Sequence, residues 1–300
     1  MRHLAIPFLI LGVAACAAPR GPADSGRVVR EDELPARERE VWESYHAGGP
    51  AWELERERVL ADPGLARFLV DNLVREMVQS YDHSRLASSG ERAGPFERAC
   101  DELVRCAGAS TPVLAEMLAL RDGIVSFLAA DLLARIGASA LEPVRAKLGS
   151  GQAEVRRRAA ELLGRLPNAG AAEGRVEEGL GALAERDPAW IVRAQAAQAL
   201  GARGAQHAHK GYAAGVLARC LADPDPAVVE SATKGLRALA EPRAIPILID
   251  ALERSSSSGN VSALHAAQDA LRALSGEQAD RSPAEWRRWW TEVGERALVH

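Results

Sequence analysis

Four stretches of the chain follow one pattern. Residues 125–133 read VSFLAADLL, residues 155–163 read VRRRAAELL, residues 192–200 read VRAQAAQAL and residues 228–236 read VVESATKGL. Valine, alanine and leucine occupy the first, fifth and ninth places of each stretch. Steps of four place these side chains along one face of an α-helix. The pattern therefore predicts four equivalent helices whose small central alanine lets a neighbouring helix approach closely.

The leucine that ends this pattern recurs along the chain at intervals of 30 to 37 residues. A period of this length is typical of repeat proteins, in which each unit buries its apolar face against the next one. A short break follows each helix, as at residues 137–139, and a second apolar stripe comes after it. Each unit is therefore predicted to be a helical hairpin. The recurring leucines are Leu103, Leu133, Leu163, Leu200, Leu236 and Leu271.

Acidic residues and prolines mark the predicted starts of these helices. Asp187-Pro188 and Asp225-Pro226 each place an N-cap acceptor before a proline at the first helical position. Asp122 stands three residues before Val125 and is expected to act in the same way.

The units resemble HEAT repeats, through Asp-x-x-Val before an Ala-Ala-x-x-Leu core and through arginine after the valine at Arg156 and Arg193. The resemblance covers about residues 94–276 and implies an all-α fold, an α-solenoid of about five to six HEAT-like helical hairpins with helical caps at both ends. The related phycobilisome-lyase-like repeats stay open as an alternative. Ser126 and Val229 replace the arginine elsewhere, which argues against a regular ladder of polar contacts, and residues 171–186 are glycine-rich and predicted to be irregular.

Atypical segments at both ends are expected to close the solenoid, because terminal repeats need a polar outer face. At the N-terminal end, apolar residues at helical spacing over about residues 34–80 predict helices that break at Asp62-Pro63-Gly64, and residues 81–94 are predicted to be the loop that joins them to the repeats. At the C-terminal end, Ser282-Pro283-Ala284-Glu285 is a capping box that starts a helix carrying Trp286, Trp289 and Trp290 on one face. The predicted organisation is a signal peptide at residues 1–15, a flexible tether at 16–33, an N-terminal helical cap with a joining loop at 34–93, the solenoid at 94–277 and a tryptophan-rich capping helix at 278–300.

The N-terminus carries a targeting pattern. Arg2 and His3 precede an apolar run over residues 4–13, which is too short to span a membrane and suits a signal-peptide core. The run ends in Val13-Ala14-Ala15-Cys16, which resembles the lipobox of bacterial lipoproteins. The resemblance implies acylation of Cys16 as the membrane anchor. An ordinary cleaved signal peptide is the alternative.

The residues after Cys16 refine the expected location. They are rich in proline, glycine and alanine without helical or strand periodicity, so they are predicted to be a flexible tether with a reach of about 20 to 25 Å. Ala17 is not the aspartate associated with retention at the inner membrane. We therefore expect a lipid-anchored protein of the bacterial cell envelope that faces the periplasm, with the outer membrane favoured over the inner one.

Composition narrows the classes of partner. The chain has 300 residues, 37 basic against 41 acidic, a net charge of -4 and only 4% aromatic residues. This near balance lacks the strongly basic character of nucleic-acid-binding proteins, so no nucleic-acid partner is expected.

The cysteines, histidines and clustered arginines that could act in catalysis or metal binding are predicted to have structural or solvent-exposed roles instead. Cys100, Cys106 and Cys220 fall on apolar helix faces and are predicted to be buried free thiols. His207 and His209 form a His-x-His pair without a third ligand in view, and the run Arg156 to Arg158 is predicted to be a solvated helix face. Metal-ligand spacings and nucleophile motifs are absent from the sequence, so we predict no metal, no cofactor and no catalytic residues.

The sequence thus predicts a non-catalytic scaffold that holds a protein or peptide partner on its concave surface. The alternative is an enzyme, or an enzyme accessory, resembling the chromophore lyases built on similar repeats, which would need a polar pocket around a reactive thiol or histidine. The predicted contact residues come from the second helices of the hairpins and their loops. They are Arg145, Lys147, His207, Lys210, Tyr212, Asp250 and Arg254.

Overall fold

The computed structural model of the protein describes residues 35–86, 94–167, 173–205 and 210–294. These residues form helices joined by short turns, and no β-strand occurs among them. The chain divides into two compact units, one up to Glu116 and one from Met117 onward. The fold class is all-α, as the helical periodicity predicts. The predicted signal peptide, the tether and Cys16 lie outside the described residues.

The described part of the N-terminal unit forms five helices around a small apolar core. The longest helix, α3, contacts α1, α2 and α4 and buries Leu69, Leu73 and Met77 completely. The helices are α1 (Ala36–Ala47), α2 (Gly49–Ala61), α3 (Pro63–Leu86), α4 (Gly94–Arg105) and α5 (Ala107–Met117).

Two helix boundaries in this unit differ from the sequence prediction. Gly48 and Gly49 have positive φ angles of 66° and 75°, which end α1 and begin α2 at a break that was not predicted. Residues 81–94 were expected to be a loop, but α3 continues to Leu86. The predicted break at Asp62-Pro63 is confirmed, because the Asp62 carboxylate accepts hydrogen bonds from the N–H groups of Gly64 and Leu65 at 2.8 and 3.2 Å.

The repeat unit alternates first and second helices of successive hairpins. A glycine at 137 with φ 77° separates the first hairpin's helices, and Gly259 and Gly276 end later helices in the left-handed conformation. The first helices are α6 (Gly123–Ile136), α8 (Ala153–Arg165), α10 (Trp190–Ala205), α12 (Pro226–Leu239) and α14 (Val261–Ser275). The second helices are α7 (Leu141–Ala146), α9 (Glu173–Arg186), α11 (Lys210–Cys220), α13 (Ile245–Ser258) and α15 (Pro283–Trp289).

The hairpins stack into two layers. Each first helix packs against the next first helix, from α6 through α14, and α7, α9 and α11 form a corresponding second layer. The predicted stripe of valine, alanine and leucine is the buried surface between the layers. Val192, Ala196 and Leu200 are fully buried, and so are their counterparts in α12. The repeat unit is therefore an α-solenoid of helical hairpins.

Glycine permits the close contact between first helices. A Cβ atom on Gly201 would lie 2.3 Å from the Cα atom of Gly235, and one on Gly164 would lie 3.0 Å from the backbone of Ala199. Gly164 and Gly201 both stand nine residues after the valine of their repeat, and their partners both stand seven residues after it. The helices α8, α10 and α12 therefore pack in one register, with their N-termini along the same edge of the layer.

Two of the three predicted N-caps are confirmed. The Asp122 carboxylate accepts from the N–H groups of Ile124 and Val125, and the Asp225 carboxylate accepts from Ala227 N–H at 2.9 Å with Pro226 at the first helical position. The prediction for Asp187 was wrong, because α10 begins three residues later at Trp190.

The expectation of irregular structure over residues 171–186 was also wrong. Residues Glu173–Arg186 form the regular helix α9. Its glycines have a packing role, because a Cβ atom on Gly179 would lie 2.9 Å from Leu148 and one on Gly181 would lie 2.5 Å from the Tyr212 hydroxyl. These glycines let α9 sit against neighbouring second helices.

Among the described residues, one segment is long and apolar enough to cross a membrane by length and composition, namely Gly123–Gly149, with a mean hydropathy of 1.7 in its best window. Half of that window is buried inside the protein, and Gly137 breaks the segment between α6 and α7. Both features are those of core helices in a globular domain.

The last helix packs through Trp286, which is fully buried. Its indole N–H donates to the Gln268 side chain at 3.0 Å, and the Arg281 guanidinium lies over its ring at 5.2 Å. The predicted capping box of Ser282 and Glu285 is present. Trp289 is only half-buried and donates to Glu277 at 2.9 Å.

Candidate binding surface

Paired arginines and aspartates connect successive repeats. Arg156 donates two hydrogen bonds to Asp187, at 2.6 and 2.9 Å, and Arg193 donates two to Asp223, at 2.7 and 2.9 Å. Each arginine also donates to a backbone carbonyl six residues before it, on Ser150 or Asp187. Planar guanidinium groups bind carboxylates well in this two-bond geometry. A ladder of polar contacts thus runs through α8, α10 and the turn before α12.

This ladder corrects two predictions. The solvated face expected for Arg156, Arg157 and Arg158 is wrong, since all three guanidinium groups bind protein groups. Arg157 pairs with Glu154 and Glu161 on its own helix, and Arg158 donates to the carbonyls of Leu118 and Leu120 at 3.0 and 3.2 Å. The absence of arginine at this position in the other repeats, which argued against a ladder, did not prevent one. Arg156 and Arg193 belong to successive repeats, and each forms one step.

The electrostatics of Asp187 follow from these contacts. Burial raises the pKa of Asp187, but hydrogen bonds from Arg156 and from Ala189 N–H, together with the charges of Arg156 and Arg193, outweigh burial and hold the pKa below its usual value. Only 2% of the Asp187 side chain is exposed, so its role is to hold α8 against the next hairpin through Arg156.

The first predicted contact residues, Arg145 and Lys147, lie at the α7 end of the second-helix layer and are partly exposed. Arg145 donates to Glu142 at 2.8 Å, and Glu142 in turn pairs with Arg175 of α9 at 2.7 Å. The Arg145 side chain lies 35% exposed, so it is reachable while it is held by Glu142.

Lys210 and Tyr212 lie in the first turn of α11, on the other side of α9. The Tyr212 ring packs over Gly181 and is 42% exposed. Burial, followed by the nearby charges of Glu185 and Glu178, raises the pKa of Tyr212. His207 lies outside the described residues, as does His209.

Asp250 and Arg254 lie on α13 and are both exposed. Asp250 and Glu253 accept hydrogen bonds from Arg287 of α15, at 3.0 and 2.5 Å. Asp250 therefore binds the final helix, which the sequence did not indicate. The structure thus brings Arg145, Lys147, Lys210 and Tyr212 to the two sides of α9 and places Asp250 and Arg254 on a separate helix.

The three described cysteines are buried and form no disulfide with one another, as predicted. Burial, with the charge of a nearby glutamate, raises the pKa of both Cys106 and Cys220 to about 12. The Cys220 thiol donates to the Ala184 carbonyl at 3.5 Å. Because the thiolate is the nucleophile, such groups are poorly reactive at neutral pH.

The surface of the first-helix layer carries two shallow grooves. One, between α8 and α10, has a volume of about 340 Å³, with Arg157, Glu161 and Gln198 in its walls. The other, between α12 and α14, includes Lys234 and the exposed His265. Neither is an enclosed pocket. Within the described parts of the chain, no group of three or more histidine, cysteine, aspartate or glutamate residues could hold a metal ion.

Sequence reasoning missed a set of exposed apolar side chains at the starts of first helices. Ile124 and Ile191 each stand one residue before the buried valine of their repeat, so the helical register could have placed both outside the core. The set consists of Leu120, Ile124, Phe127, Trp190, Ile191 and Val261, and we call it the apolar edge.

Comparison with known proteins supports the repeat assignment. Residues 177–272 match the family profile of HEAT repeats. No curated protein sequence matches the chain. Among solved structures, the protein YibA of Escherichia coli is similar at 16% identity over 71% of this chain and 73% of its own, with a TM-score of 0.50.

Two further structures are more distant. An engineered protein aligns at 20% identity over 69% of this chain and 96% of its own, with a TM-score of 0.41. Human deoxyhypusine hydroxylase, solved with glycerol, aligns at 15% identity over 83% of this chain and 93% of its own, with a TM-score of 0.36. The likeness to YibA extends to the fold alone. The chain is thus an all-α protein with a helical-hairpin solenoid in which residues 177–272 match HEAT repeats.

Proposed function

We propose that this protein is a lipid-anchored scaffold of the bacterial cell envelope, without catalysis of its own, that binds a protein or peptide partner. The observation that carries the proposal is the two-layer stack of hairpins, whose second-helix layer leaves charged and aromatic side chains exposed around α9. Solenoids of this kind offer extended surfaces rather than enclosed pockets.

The state of the thiols supports a scaffold over a lyase-like enzyme. A lyase-like activity would need a reactive thiol or histidine in a polar pocket, whereas Cys106 and Cys220 have pKa values raised to about 12 by burial. Modification of Cys220 by a water-soluble maleimide in the native protein, at a rate comparable to that of a free thiol, would favour the lyase-like alternative.

The partner surface is tested by charge reversal in the second-helix layer. The tagged protein is purified from gently solubilised membranes after mild crosslinking, and retained proteins are identified by mass spectrometry. We expect a stoichiometric partner that is lost in the variant Arg145→Glu/Lys210→Glu. The matched control is Lys234→Glu, which reverses an exposed charge on the first-helix layer. Retention of the partner by the double variant would contradict the surface assignment.

The anchor is tested separately at Cys16. Metabolic labelling with a clickable fatty acid should mark the wild-type chain and leave a Cys16→Ala chain unlabelled, and that variant should fractionate without membranes. Labelling that persists in Cys16→Ala would contradict the anchor, whatever the partner experiment shows.

A further inference from the structure

The apolar edge follows from the repeat topology. Each second helix returns the chain, so all first helices run in the same direction and their first turns line one edge of the layer. Arg158 of α8 binds the carbonyls of Leu118 and Leu120, which places the turn before α6 beside the start of α8. The shared register of α8, α10 and α12 continues this edge to Trp190 and beyond.

The side chains on this edge are large and exposed. Phe127 is 64% exposed, Val261 61% and Trp190 48%. Apart from these six residues, the large exposed apolar side chains of the described repeat unit are Tyr212 and Val293, which lie on a second helix and after the last helix. Exposed apolar groups gathered at one edge indicate an interaction surface, whereas scattered ones are ordinary.

Acidic side chains along this edge cap helices or bind arginines. Asp122 and Asp225 cap helices, and Asp187 and Asp223 bind the ladder arginines. Glu154 pairs with Arg157 and Arg158 on α8. This helix lies between two apolar clusters of the edge, one at α6 (Leu120, Ile124 and Phe127) and one at α10 (Trp190 and Ile191).

Exposed arginines accompany both clusters. Arg121 precedes α6. Arg186, which ends the helix before Trp190, is 81% exposed and lies 3.9 Å from the Glu185 carboxylate. Apolar and aromatic side chains flanked by arginine suit the boundary between lipid headgroups and acyl chains.

The short stretch of chain between Cys16 and the described residues favours a membrane as the partner of the apolar edge. Eighteen residues separate Cys16 from Pro35, and a coil of that length spans only about 20 to 25 Å. An anchor at Cys16 would hold Pro35 within this distance of the lipid surface. The repeat unit belongs to the same chain, so even a weak contact with that surface gains from a high local concentration.

We propose that the apolar edge rests on the surface of the membrane that holds the anchor, with Phe127 and Trp190 inserted at headgroup level. This inference rests on the lipid anchor of the proposed function. It adds a second, non-covalent membrane contact through α6 and α10, which orients the repeat unit and leaves its second-helix layer directed to other proteins.

The test uses the chain from residue 16 onward with Cys16→Ala, which contains every described residue and cannot be acylated. It is mixed with vesicles of phosphatidylethanolamine and phosphatidylglycerol at 3:1, and bound protein is measured by flotation. We expect lipid-dependent binding that falls at least about tenfold in the variant Phe127→Ser/Trp190→Ser, because the loss of each inserted aromatic group weakens partitioning by roughly that factor.

The matched control is Leu54→Ser, which removes a large apolar side chain of the N-terminal unit that is 69% exposed, and it should leave vesicle binding unchanged. Hydrogen exchange on the bound protein should show protection at the starts of α6 and α10. If the aromatic variant misfolds, Ile124→Ser/Ile191→Ser tests the same edge with smaller changes.

Absent vesicle binding, or binding that the edge variants leave unchanged, would overturn the proposal. A protein partner that is lost in the edge variants while vesicle binding stays absent would assign the edge to that protein instead. Acylation plays no part in the vesicle experiment, so its result is independent of the labelling of Cys16.

Discussion

The N-terminal unit and the repeat unit both bury a carboxylate, but they surround it differently. In the N-terminal unit, Glu102 is 3% exposed and accepts from Trp52 at 3.0 Å, with Arg56 at 3.4 Å and Arg105 at 3.5 Å. In the repeat unit, one arginine binds one aspartate through two short hydrogen bonds, and the arrangement occurs twice. The Glu102 cluster occurs once and its ion pairs are longer. The arginine–aspartate pair is shorter and occurs at the same position in two successive repeats.

This difference leads to different expectations for mutation. A repeat stabilised by contacts with its neighbours loses one interface at a time. A cluster that joins α2 and α4 of a small unit affects that whole unit. Hydrogen exchange with mass spectrometry can follow both units in the full chain, because their peptides are distinct.

The largest effect is expected for Asp187→Ala. It leaves the Arg156 guanidinium, only 12% exposed, without its carboxylate, and removal of one partner from such a pair costs about 3 kcal/mol. Exchange should accelerate in α8 and α10 while α1 to α4 keep their protection. Uniform acceleration across both units would contradict local coupling through the ladder.

Measuring stability as the pH is lowered separates the effect of the charge of Asp187 from that of its hydrogen bonds. Because the folded-state pKa of Asp187 is below its usual value, its charge contributes stability above about pH 4 that is lost as pH falls through the folded-state pKa. The variant Asp187→Asn should lack this component and therefore lose less stability than the wild type between pH 5 and pH 3. An equal loss of stability in both proteins between pH 5 and pH 3 would show that the charge of Asp187 does not contribute to acid sensitivity.

The next effect is expected for Gly201→Ala. The new methyl group would meet the backbone of Gly235, so α10 and α12 must separate, and overpacking of this kind costs about 2 kcal/mol. Gly215→Ala on α11 is the control, since its Cβ atom would meet only Arg219 at 3.7 Å and alanine favours a helix. Denaturation followed by circular dichroism should show a lower midpoint for the first variant and an equal or higher midpoint for the second.

A smaller effect is expected for Glu102→Gln. Glutamine keeps an acceptor for the Trp52 indole but loses the charge shared with Arg56 and Arg105, which costs about 1 kcal/mol at these longer distances. The loss should appear as faster exchange in α2 and α4 and leave α8 to α12 unchanged. Faster exchange that reaches the repeats would show that the two units unfold together.

The sequence predicted the repeated features of the fold better than the single ones. The valine, alanine and leucine stripe, the capping role of Asp225 and the burial of Cys106 follow from spacing, because a helix fixes which residues share a face. Glu102 was not predicted, since its partners Trp52 and Arg56 are about fifty residues away and no local pattern connects them.

Some repeat positions also misled the prediction. Arg203 occupies a place that is apolar in other units, yet it is 1% exposed and donates to the Leu163 and Leu166 carbonyls of the preceding hairpin. Asp187 resembles an N-cap in sequence, but its true counterpart in the next repeat is Asp223, 36 residues later, and both bind arginine. Spacing predicted helices reliably, but the partner of a polar side chain depends on packing between repeats.

The smallest effect is expected for Arg287→Ala on the final helix. Its hydrogen bonds with Asp250 and Glu253 raise the pKa of Arg287, but all three side chains are about half exposed. Solvent screens such pairs and their ordering costs side-chain entropy, so the midpoint of thermal unfolding should stay within about 1 °C of the wild type. A shift as large as that of Asp187→Ala would mean that burial does not distinguish the ladder from a surface ion pair.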